Sequence, residues 1–263
     1  MPNPPLKQFQ MNRIHTTLSE NKKLLSIYFT AGFPHLNNTV TLIEELEKNG
    51  VDFIEIGLPF SDPLADGPII QASSKQALSN GMTTEILFEQ LQNIRKTVKI
   101  PLLIMGYFNP ILQYGVEAFC IECSKIGIDG LIIPDLPLEI YRAEYEPLFL
   151  KYGLSAIFLV TPQTSDSRIL EIDAASSTFI YLVSKAAVTG GAGEFGPEQM
   201  DYFKRIAAMN LKNPLITGFG ISSKKTFSQA SEHTKGAIIG SAFVNFITNN
   251  KIEDVKLFIE KIL

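Results

Sequence analysis

The 263-residue sequence has no tryptophan, only two cysteines and only three histidines. His15, His35 and His233 stand far apart, so the sequence gives little support to a histidine metal site or a catalytic triad. No apolar run approaches the roughly 20 residues that a membrane-spanning helix needs. The opening segment, MPNPPLKQFQ, lacks the pattern of a signal peptide. Together with the few cysteines, this predicts a cytoplasmic protein.

The two cysteines, Cys120 and Cys123, have the CxxC spacing that occurs in zinc and redox sites. They fall in a helical apolar pattern with Val116 and Ile126, and no second cluster of Cys or His accompanies them. We therefore expect both thiols on the buried face of a helix, and no metal in this chain.

The sequence also lacks an excess of basic residues. It has 23 Lys and Arg against 27 Asp and Glu, which gives a formal net charge of -4. Because nucleic acids and anionic membranes attract basic surfaces, we expect neither as a partner and predict a small-molecule substrate. With 45% hydrophobic residues and no linker, residues 1–263 are predicted to form a single domain.

Apolar segments typical of strands alternate with helical patterns along the chain. Eight such segments are predicted as strands, at residues 24–30, 51–58, 102–105, 131–133, 156–160, 179–183, 215–217 and 237–239. This alternation predicts a parallel sheet, and eight units in about 250 residues predict an α/β fold of the (β/α)8 TIM barrel class. A doubly wound open sheet is the alternative, but the first turn lacks its GxGxxG motif. Residues 11–20 predict an extra N-terminal helix that caps one end of the core.

One stretch, VDFIEIGLPFSDPLADGP at residues 51–68, combines a buried strand with acidic residues. Glu55 interrupts the apolar strand, and Asp62 and Asp66 lie in the loop after it. A carboxylate in a buried strand is costly unless it is paired, protonated or facing a wet cavity. The pattern predicts a general acid–base site. The alternative is that Glu55 is an ion-paired core residue and that the aspartates only form turns.

In a (β/α)8 barrel the active site lies at the C-terminal ends of the strands, and the last two βα loops commonly hold phosphate. The sequence has GFGIS at residues 218–222 and GSA at residues 240–242. Gly220 and Gly240 would let the backbone approach an anion, and Ser241 would donate a hydroxyl. Tight turns alone would also explain these glycines.

The loop after the sixth strand, residues 184–196, is long and rich in glycine. Such loops often close over an active site as a lid, although a surface excursion without function has the same composition. Tyr181, within the sixth strand, is predicted either to face the barrel interior or to pack in the core.

Six stretches in register carry a family resemblance. They are IEIGLPFSDPLADGP (54–68), MGYFNP (105–110), PDLP (134–137), VTGG (188–191), GFGIS (218–222) and GSA (240–242). On these stretches the chain resembles the alpha subunits of tryptophan synthase, from residue 23 to the C-terminal helix. The resemblance implies a lyase of tryptophan biosynthesis that cleaves indole-3-glycerol phosphate to indole and glyceraldehyde 3-phosphate in a retro-aldol reaction.

The resemblance also assigns roles to individual residues. Glu55 matches the family's catalytic glutamate, which protonates C3 of the indole and then takes a proton from the glycerol hydroxyl. Asp66 matches the aspartate that accepts the indole N–H, and Tyr181 matches a tyrosine beside the glutamate. Thr189 matches the lid threonine that closes onto the aspartate. The phosphate site is matched by Gly190, Gly220, Gly240 and Ser241. The walls of the indole pocket are matched by Tyr28, Met105, Tyr107, Ile132, Leu159 and Phe219.

The resemblance further implies a partner, the pyridoxal-phosphate-dependent beta subunit, in an alpha2beta2 heterotetramer. Asp62, Asn109 and Pro137 match positions at that contact. The pyridoxal phosphate belongs to the beta subunit, and this chain is expected to hold no cofactor. Lys185 and Ala187 stand where many relatives have arginine and glycine, which leaves the lid's mobility and its coupling to the partner open.

Three other functions compete with this interpretation. One is another phosphate-binding barrel, an isomerase, epimerase or synthase that acts on a sugar phosphate; such barrels usually carry a lysine or a metal-binding histidine at a strand end, and neither is found here. Another is a binding subunit that mainly activates its partner. The third is a lyase that releases free indole without a partner.

Overall fold

The computed structural model describes residues 12–184 and 195–263. Its strands form one parallel sheet in the order β5-β4-β3-β2-β1-β9-β8-β7-β6. The strands are β1 (Leu24–Thr30), β2 (Phe53–Gly57), β3 (Leu102–Met105), β4 (Gly130–Ile132), β5 (Ser155–Ile157), β6 (Leu159–Val160), β7 (Ile180–Val183), β8 (Leu215–Gly218) and β9 (Gly236–Ile239).

The two ends of this sheet meet, because β5 and β6 are separated by Phe158 alone. β5 pairs with β4 and β6 pairs with β7, and between them the Tyr181 amide donates to the Phe158 carbonyl at 2.9 Å. The nine segments thus occupy the eight positions of a nearly closed barrel. The predicted (β/α)8 TIM barrel is confirmed, with its fifth strand split in two.

Helices surround the barrel. They are α1 (Arg13–Ser19), α2 (Thr39–Lys48), α3 (Pro68–Ser79), α4 (Thr84–Leu91), α5 (Phe108–Tyr114), α6 (Val116–Ile126), α7 (Leu138–Ile140), α8 (Glu146–Lys151), α9 (Asp166–Ala175), α10 (Pro197–Ala207), α11 (Lys224–Glu232), α12 (Ser241–Asn249) and α13 (Val255–Ile262). Among residues 12–184 and 195–263, no helix has both the length and the apolar character to cross a membrane. α6 buries Cys120 and Cys123 as free thiols, so the prediction of a helix-face pair is confirmed.

Successive side chains of each strand alternate between the helix layer and the barrel interior, as the pleat requires. The interior is filled mainly by apolar side chains from the strands and their edges: Leu24, Phe53, Leu103, Ile132, Ile157, Phe179, Ile216 and Ile238. Ser26 and Glu55 share the inward phase and are almost completely buried. The interior therefore combines an apolar filling with a small polar group near the strand ends.

The N-terminal helix α1 closes the end of the barrel at which the strands begin. Ile14 is completely buried and joins the interior cluster, with Leu18 packed beside it. The side-chain amide of Asn12 donates to Ser155 Oγ at 3.0 Å, and the Arg13 guanidinium forms a salt bridge with the buried Asp129 at 2.9 Å. The predicted extra helix is confirmed, and it caps the core.

We predict that Ile14→Ala lowers the free energy of unfolding by about 2–5 kcal/mol, because it leaves a cavity in a fully packed interior. Leu170→Ala is the control, since that leucine is 53% exposed on α9 and its loss should cost about 0.5 kcal/mol or less. Urea denaturation of the three chains measures both effects. Equal losses in the two variants would show that α1 does not contribute to the core.

Candidate active site

A cavity of about 610 Å³ opens at the C-terminal ends of the strands. Its lining includes residues of the strands β1, β3 and β7 and of the loops that follow β2, β8 and β9. Among the residues predicted from the sequence, its wall contains Tyr28, Asp66, Met105, Tyr181, Phe219, Gly220, Gly240 and Ser241. The barrel thus brings together residues that are more than 200 positions apart in the chain.

Glu55 lies in the barrel interior, beneath this wall. On β2 it is in register with Tyr28 on one side and with Leu103 on the other, and its side chain is completely buried. The Ser26 hydroxyl donates to Glu55 Oε1 at 3.1 Å, whereas Oε2 has no hydrogen-bond partner among the described residues. Burial raises the pKa of Glu55 to about 8, against the smaller opposing effect of the Ser26 hydrogen bond. The carboxyl group is therefore mainly protonated at neutral pH.

Asp66 lies at the mouth of the cavity, in the loop between β2 and α3. The Tyr107 hydroxyl donates to Asp66 Oδ2 at 3.2 Å and accepts from the Ala65 amide at 2.9 Å. Gln71 fixes the loop from α3, because its side-chain amide donates to the Asp66 carbonyl at 2.9 Å. Partial burial raises the pKa of Asp66 to about 6, and the Tyr107 hydrogen bond opposes that rise. Asp66 is therefore mainly ionised at neutral pH.

Two tyrosines of the cavity wall depend on glycines at strand ends. A Cβ atom at Gly57 would collide with the Tyr28 hydroxyl, and one at Gly218 would collide with the Tyr181 hydroxyl. These positions must remain glycine because an aromatic ring approaches their backbone closely. Burial, assisted by the nearby carboxyl groups, raises the pKa of both tyrosines far above its ordinary value, so both stay neutral.

The loop after β8 has a strained conformation. Phe219 and Gly220 both adopt the left-handed region, with φ of 71° and 76°. This region is unusual for phenylalanine and persists where neighbouring contacts hold it. The Ser184 hydroxyl donates to the Phe219 carbonyl, and the Phe219 ring packs edge-on against Tyr181 at a centroid distance of 6.1 Å. The loop is thus tied to the wall of the cavity.

The helix α12 begins at Ser241, directly at the cavity. The amides of its first turn have no partner within the helix, and the helix dipole adds partial positive charge at this end. Ser241 and Ala242 lie on the wall together with Gly240. This end of the cavity suits an anionic group.

Not every predicted pocket residue reaches the cavity. Ile132 is completely buried in the barrel interior, and Leu159 packs against the same interior cluster. Tyr107 does not line the cavity and contacts it through Asp66. Gly190, Thr189, Lys185 and Ala187 lie outside the described residues.

The three positions matched to a partner contact, Asp62, Asn109 and Pro137, are exposed. They follow β2, β3 and β4, at the same end of the barrel as the cavity. Among residues 12–184 and 195–263, no group of three or more His, Cys, Asp and Glu side chains is arranged to hold a metal ion.

The sequence reasoning missed the residues of α3, α12 and α13 that line the cavity, such as Ile70, Asn245 and Lys261, and it also missed two supporting residues, Ser26 and Ser184. Ser26 lies two residues from both Leu24 and Tyr28 along β1, so it points to the same side of the strand as they do. The period of two would therefore have placed it inside the barrel. Ser184 acts through its contact with Phe219, which depends on the folded loop and has no sequence signal.

We predict that Tyr107→Phe raises the pKa of Asp66 above about 6, because it removes a hydrogen-bond donor to the carboxylate. A ¹³C carboxyl NMR titration of the chain measures this value, with Asp66→Asn to assign the resonance. Tyr152→Phe is the control, since that hydroxyl donates to the distant Glu117. An unchanged or lowered pKa in Tyr107→Phe would contradict the described contact.

The sequence of this chain is similar to those of known proteins over nearly its whole length. The family model for the tryptophan synthase alpha chain matches residues 14–262. The tryptophan synthase alpha chain of Flavobacterium johnsoniae is 65% identical over 252 residues, covering 96% of this chain and all of the relative. That of Christiangramia forsetii is 62% identical over 252 residues, covering 96% of this chain and 98% of the relative.

The fold of this chain is also similar to that of a solved structure. The crystal structure of the alpha chain from Legionella pneumophila superposes with a TM-score of 0.85 at 33% identity, and the alignment covers 96% of each chain. The chain therefore belongs to the tryptophan synthase alpha chain family and is a lyase that cleaves indole-3-glycerol phosphate to indole and glyceraldehyde 3-phosphate in tryptophan biosynthesis.

Proposed function

We propose that the cleavage takes place in the cavity above Glu55, with Glu55 as the general acid and base and Asp66 as the carboxylate that receives the indole N–H. The observation that carries this assignment is the different depth of two carboxyl groups at one end of the barrel: Glu55 is completely buried in the interior, and Asp66 is half-buried on the cavity wall. Burial accordingly raises the pKa of Glu55 to about 8 and that of Asp66 to about 6. At neutral pH one group can give a proton while the other holds a negative charge.

The reaction needs two proton transfers that Glu55 can perform in sequence. Its acid form gives a proton to C3 of the indole ring, which makes the ring a better leaving group. The bond between C3 and the glycerol carbon then breaks, and its electrons return to the ring. The resulting carboxylate takes the proton of the adjacent hydroxyl, whose oxygen becomes the aldehyde oxygen. Glu55 ends the cycle protonated, as it began.

Asp66 stabilises the charge that the first transfer creates. Protonation at C3 places positive charge on the ring nitrogen, and an ionised carboxylate that accepts the N–H lowers the energy of that intermediate. Tyr107 supports this role by its hydrogen bond to Oδ2, and partial burial strengthens the attraction.

The rest of the cavity accounts for substrate binding. Tyr28, Met105 and Phe219 offer an apolar slot for a flat heteroaromatic ring. Gly220, Gly240 and Ser241 are proposed to hold the phosphate at the start of α12. Gly190 is assigned to the same phosphate site and Thr189 to a lid, on the resemblance to the family alone. Ile132, Leu159 and Tyr107, which the resemblance assigns to the pocket, lie behind this wall and do not contact the cavity directly.

Removing either carboxyl group should abolish most of the lyase activity. We predict that Glu55→Gln and Asp66→Asn each lower kcat for indole release by about 10²-fold or more while the chain remains folded. Glu260→Gln and Asp201→Asn change the same groups at exposed surface positions and should keep normal turnover. Near-normal kcat in folded Glu55→Gln or Asp66→Asn would refute the corresponding role.

Loss of the Ser241 hydroxyl should weaken phosphate binding more than turnover. We predict that Ser241→Ala raises KM for indole-3-glycerol phosphate by roughly tenfold, the value of a hydrogen bond to a charged group. Ser228→Ala, on the exposed face of α11, is the control. Steady-state kinetics that give the same KM for both variants would rule out the phosphate contact.

The partner is proposed to be a tryptophan synthase beta subunit, in an alpha2beta2 heterotetramer, and pyridoxal phosphate is assigned to that subunit. The exposed positions Asp62, Asn109 and Pro137 support a contact surface at the mouth of the barrel. Leu64, in the same loop as Asp62, is 87% exposed, which is unusual for a large apolar side chain and fits an interface.

Two further assignments complete the proposal. Residues 1–263 are taken to form one domain, because the family match spans nearly the whole chain. The chain is placed in the cytoplasm, where buried free thiols such as Cys120 and Cys123 remain reduced.

A further inference from the structure

Ser26 is a buried polar residue that the mechanism above does not use. It occupies an inward position on β1, where the neighbouring inward residues are Leu24 and Tyr28, and it is only 2% exposed. A buried hydroxyl is costly unless it is hydrogen-bonded. The acceptor for its hydroxyl is Glu55 Oε1, at 3.1 Å.

The strand register fixes the direction of this contact. Tyr28 lies opposite Glu55 across the β1–β2 pair, whereas Ser26 lies opposite Phe53. Ser26 is therefore about 7 Å further from the cavity, toward the end of the barrel that α1 closes. It contacts one oxygen of the carboxyl group from the side remote from the substrate cavity.

A hydrogen bond to one oxygen also decides where the proton of the acid resides. A neutral carboxyl group has one hydroxyl oxygen and one carbonyl oxygen, and the carbonyl oxygen is the better acceptor. Because Oε1 accepts from Ser26, the proton of Glu55 belongs on Oε2. That oxygen has no competing partner among the described residues.

We propose that Ser26 is a positioning residue for the lyase reaction: its hydroxyl anchors Oε1 of Glu55, so that Oε2 carries the proton that is transferred. This inference rests on the proposed role of Glu55. Ser26 itself touches neither substrate nor reacting atoms, and it acts only through the carboxyl group.

Few other groups around Glu55 can respond to pH. Tyr28 from β1 and Tyr181 from β7 face it, with Asp66 nearer the cavity mouth, whereas its β3 neighbour is Leu103. Burial keeps both tyrosines neutral through the physiological range. Loss of the Ser26 donor should therefore act mainly on Glu55 and raise its pKa further.

The test compares Ser26→Thr with Ser26→Val, which have almost the same shape but differ in the hydroxyl, and adds Ser26→Ala. The kcat for indole release is measured against pH for each chain with a beta subunit. We expect Ser26→Val and Ser26→Ala to lower the maximal kcat about tenfold and to move the alkaline limb of the kcat–pH profile upward by roughly one pH unit. Ser26→Thr should keep the alkaline limb of the wild-type profile, and KM should stay within about twofold of the wild-type value in all three variants.

One further measurement makes the result decisive. A ¹³C carboxyl NMR titration of wild type and Ser26→Ala follows Glu55 without turnover, and it should show the same upward shift. The role of Ser26 would be overturned if Ser26→Thr and Ser26→Val had the same alkaline limb in their kcat–pH profiles, or if that limb were unmoved in Ser26→Ala.

Glu55→Gln in the same assay separates this inference from the proposed function. Near-normal turnover in Glu55→Gln would refute the role of Glu55 itself. An inactive Glu55→Gln, together with Ser26 variants that keep the wild-type limb, would overturn only the role of Ser26.

Discussion

The burial of one carboxyl group inside a closed barrel is the constraint on which the rest of this site depends. Glu55 is completely enclosed, and desolvation moves its pKa from 4.5 to about 8. The enclosure requires the whole fold: a sheet that closes around the group, an apolar interior beneath it and α1 sealing the far end. Asp66 is only half-buried at the mouth of the cavity, and its pKa is raised to about 6. The same chemical group is thus mainly protonated at one depth and mainly ionised at the other at neutral pH, as the proposed roles of Glu55 and Asp66 require.

This arrangement has a consequence for stability. The folded state holds a proton on Glu55 that the unfolded state loses above about pH 4.5, so the free energy of unfolding falls as the pH rises from about 4.5 to about 8. A shift of this size corresponds to several kcal/mol. Packing elsewhere offsets this loss, notably the fully buried Ile14 and the buried Asp129, which accepts from Arg13, Arg95 and the Leu102 amide. The proposed role of Glu55 as a general acid explains why the barrel holds such a destabilising group.

The sequence predicted the barrel and the part of the cavity wall that lies at the strand ends, because period and strand order carry that information. Residues 24–30 and 102–105 were predicted as strands at the bounds that β1 and β3 have. It could not predict the hydrogen bonds that tune the two carboxyl groups, since Ser26 and Tyr107 meet them only when the barrel closes. The left-handed Phe219 was also unpredictable, because that conformation favours glycine and here depends on Ser184. The assignments of Gly190 and Thr189 stay predictions.

If Glu55 acts as a buried acid with an elevated pKa, the pH dependence of the wild-type reaction must show the titration of this group. Indole release is measured under single-turnover conditions, with saturating indole-3-glycerol phosphate and a beta subunit, from pH 5 to pH 10. We expect the rate to rise through about pH 6, as Asp66 ionises, and to fall through about pH 8, as Glu55 loses its proton. A rate that stays constant to pH 10 would contradict it.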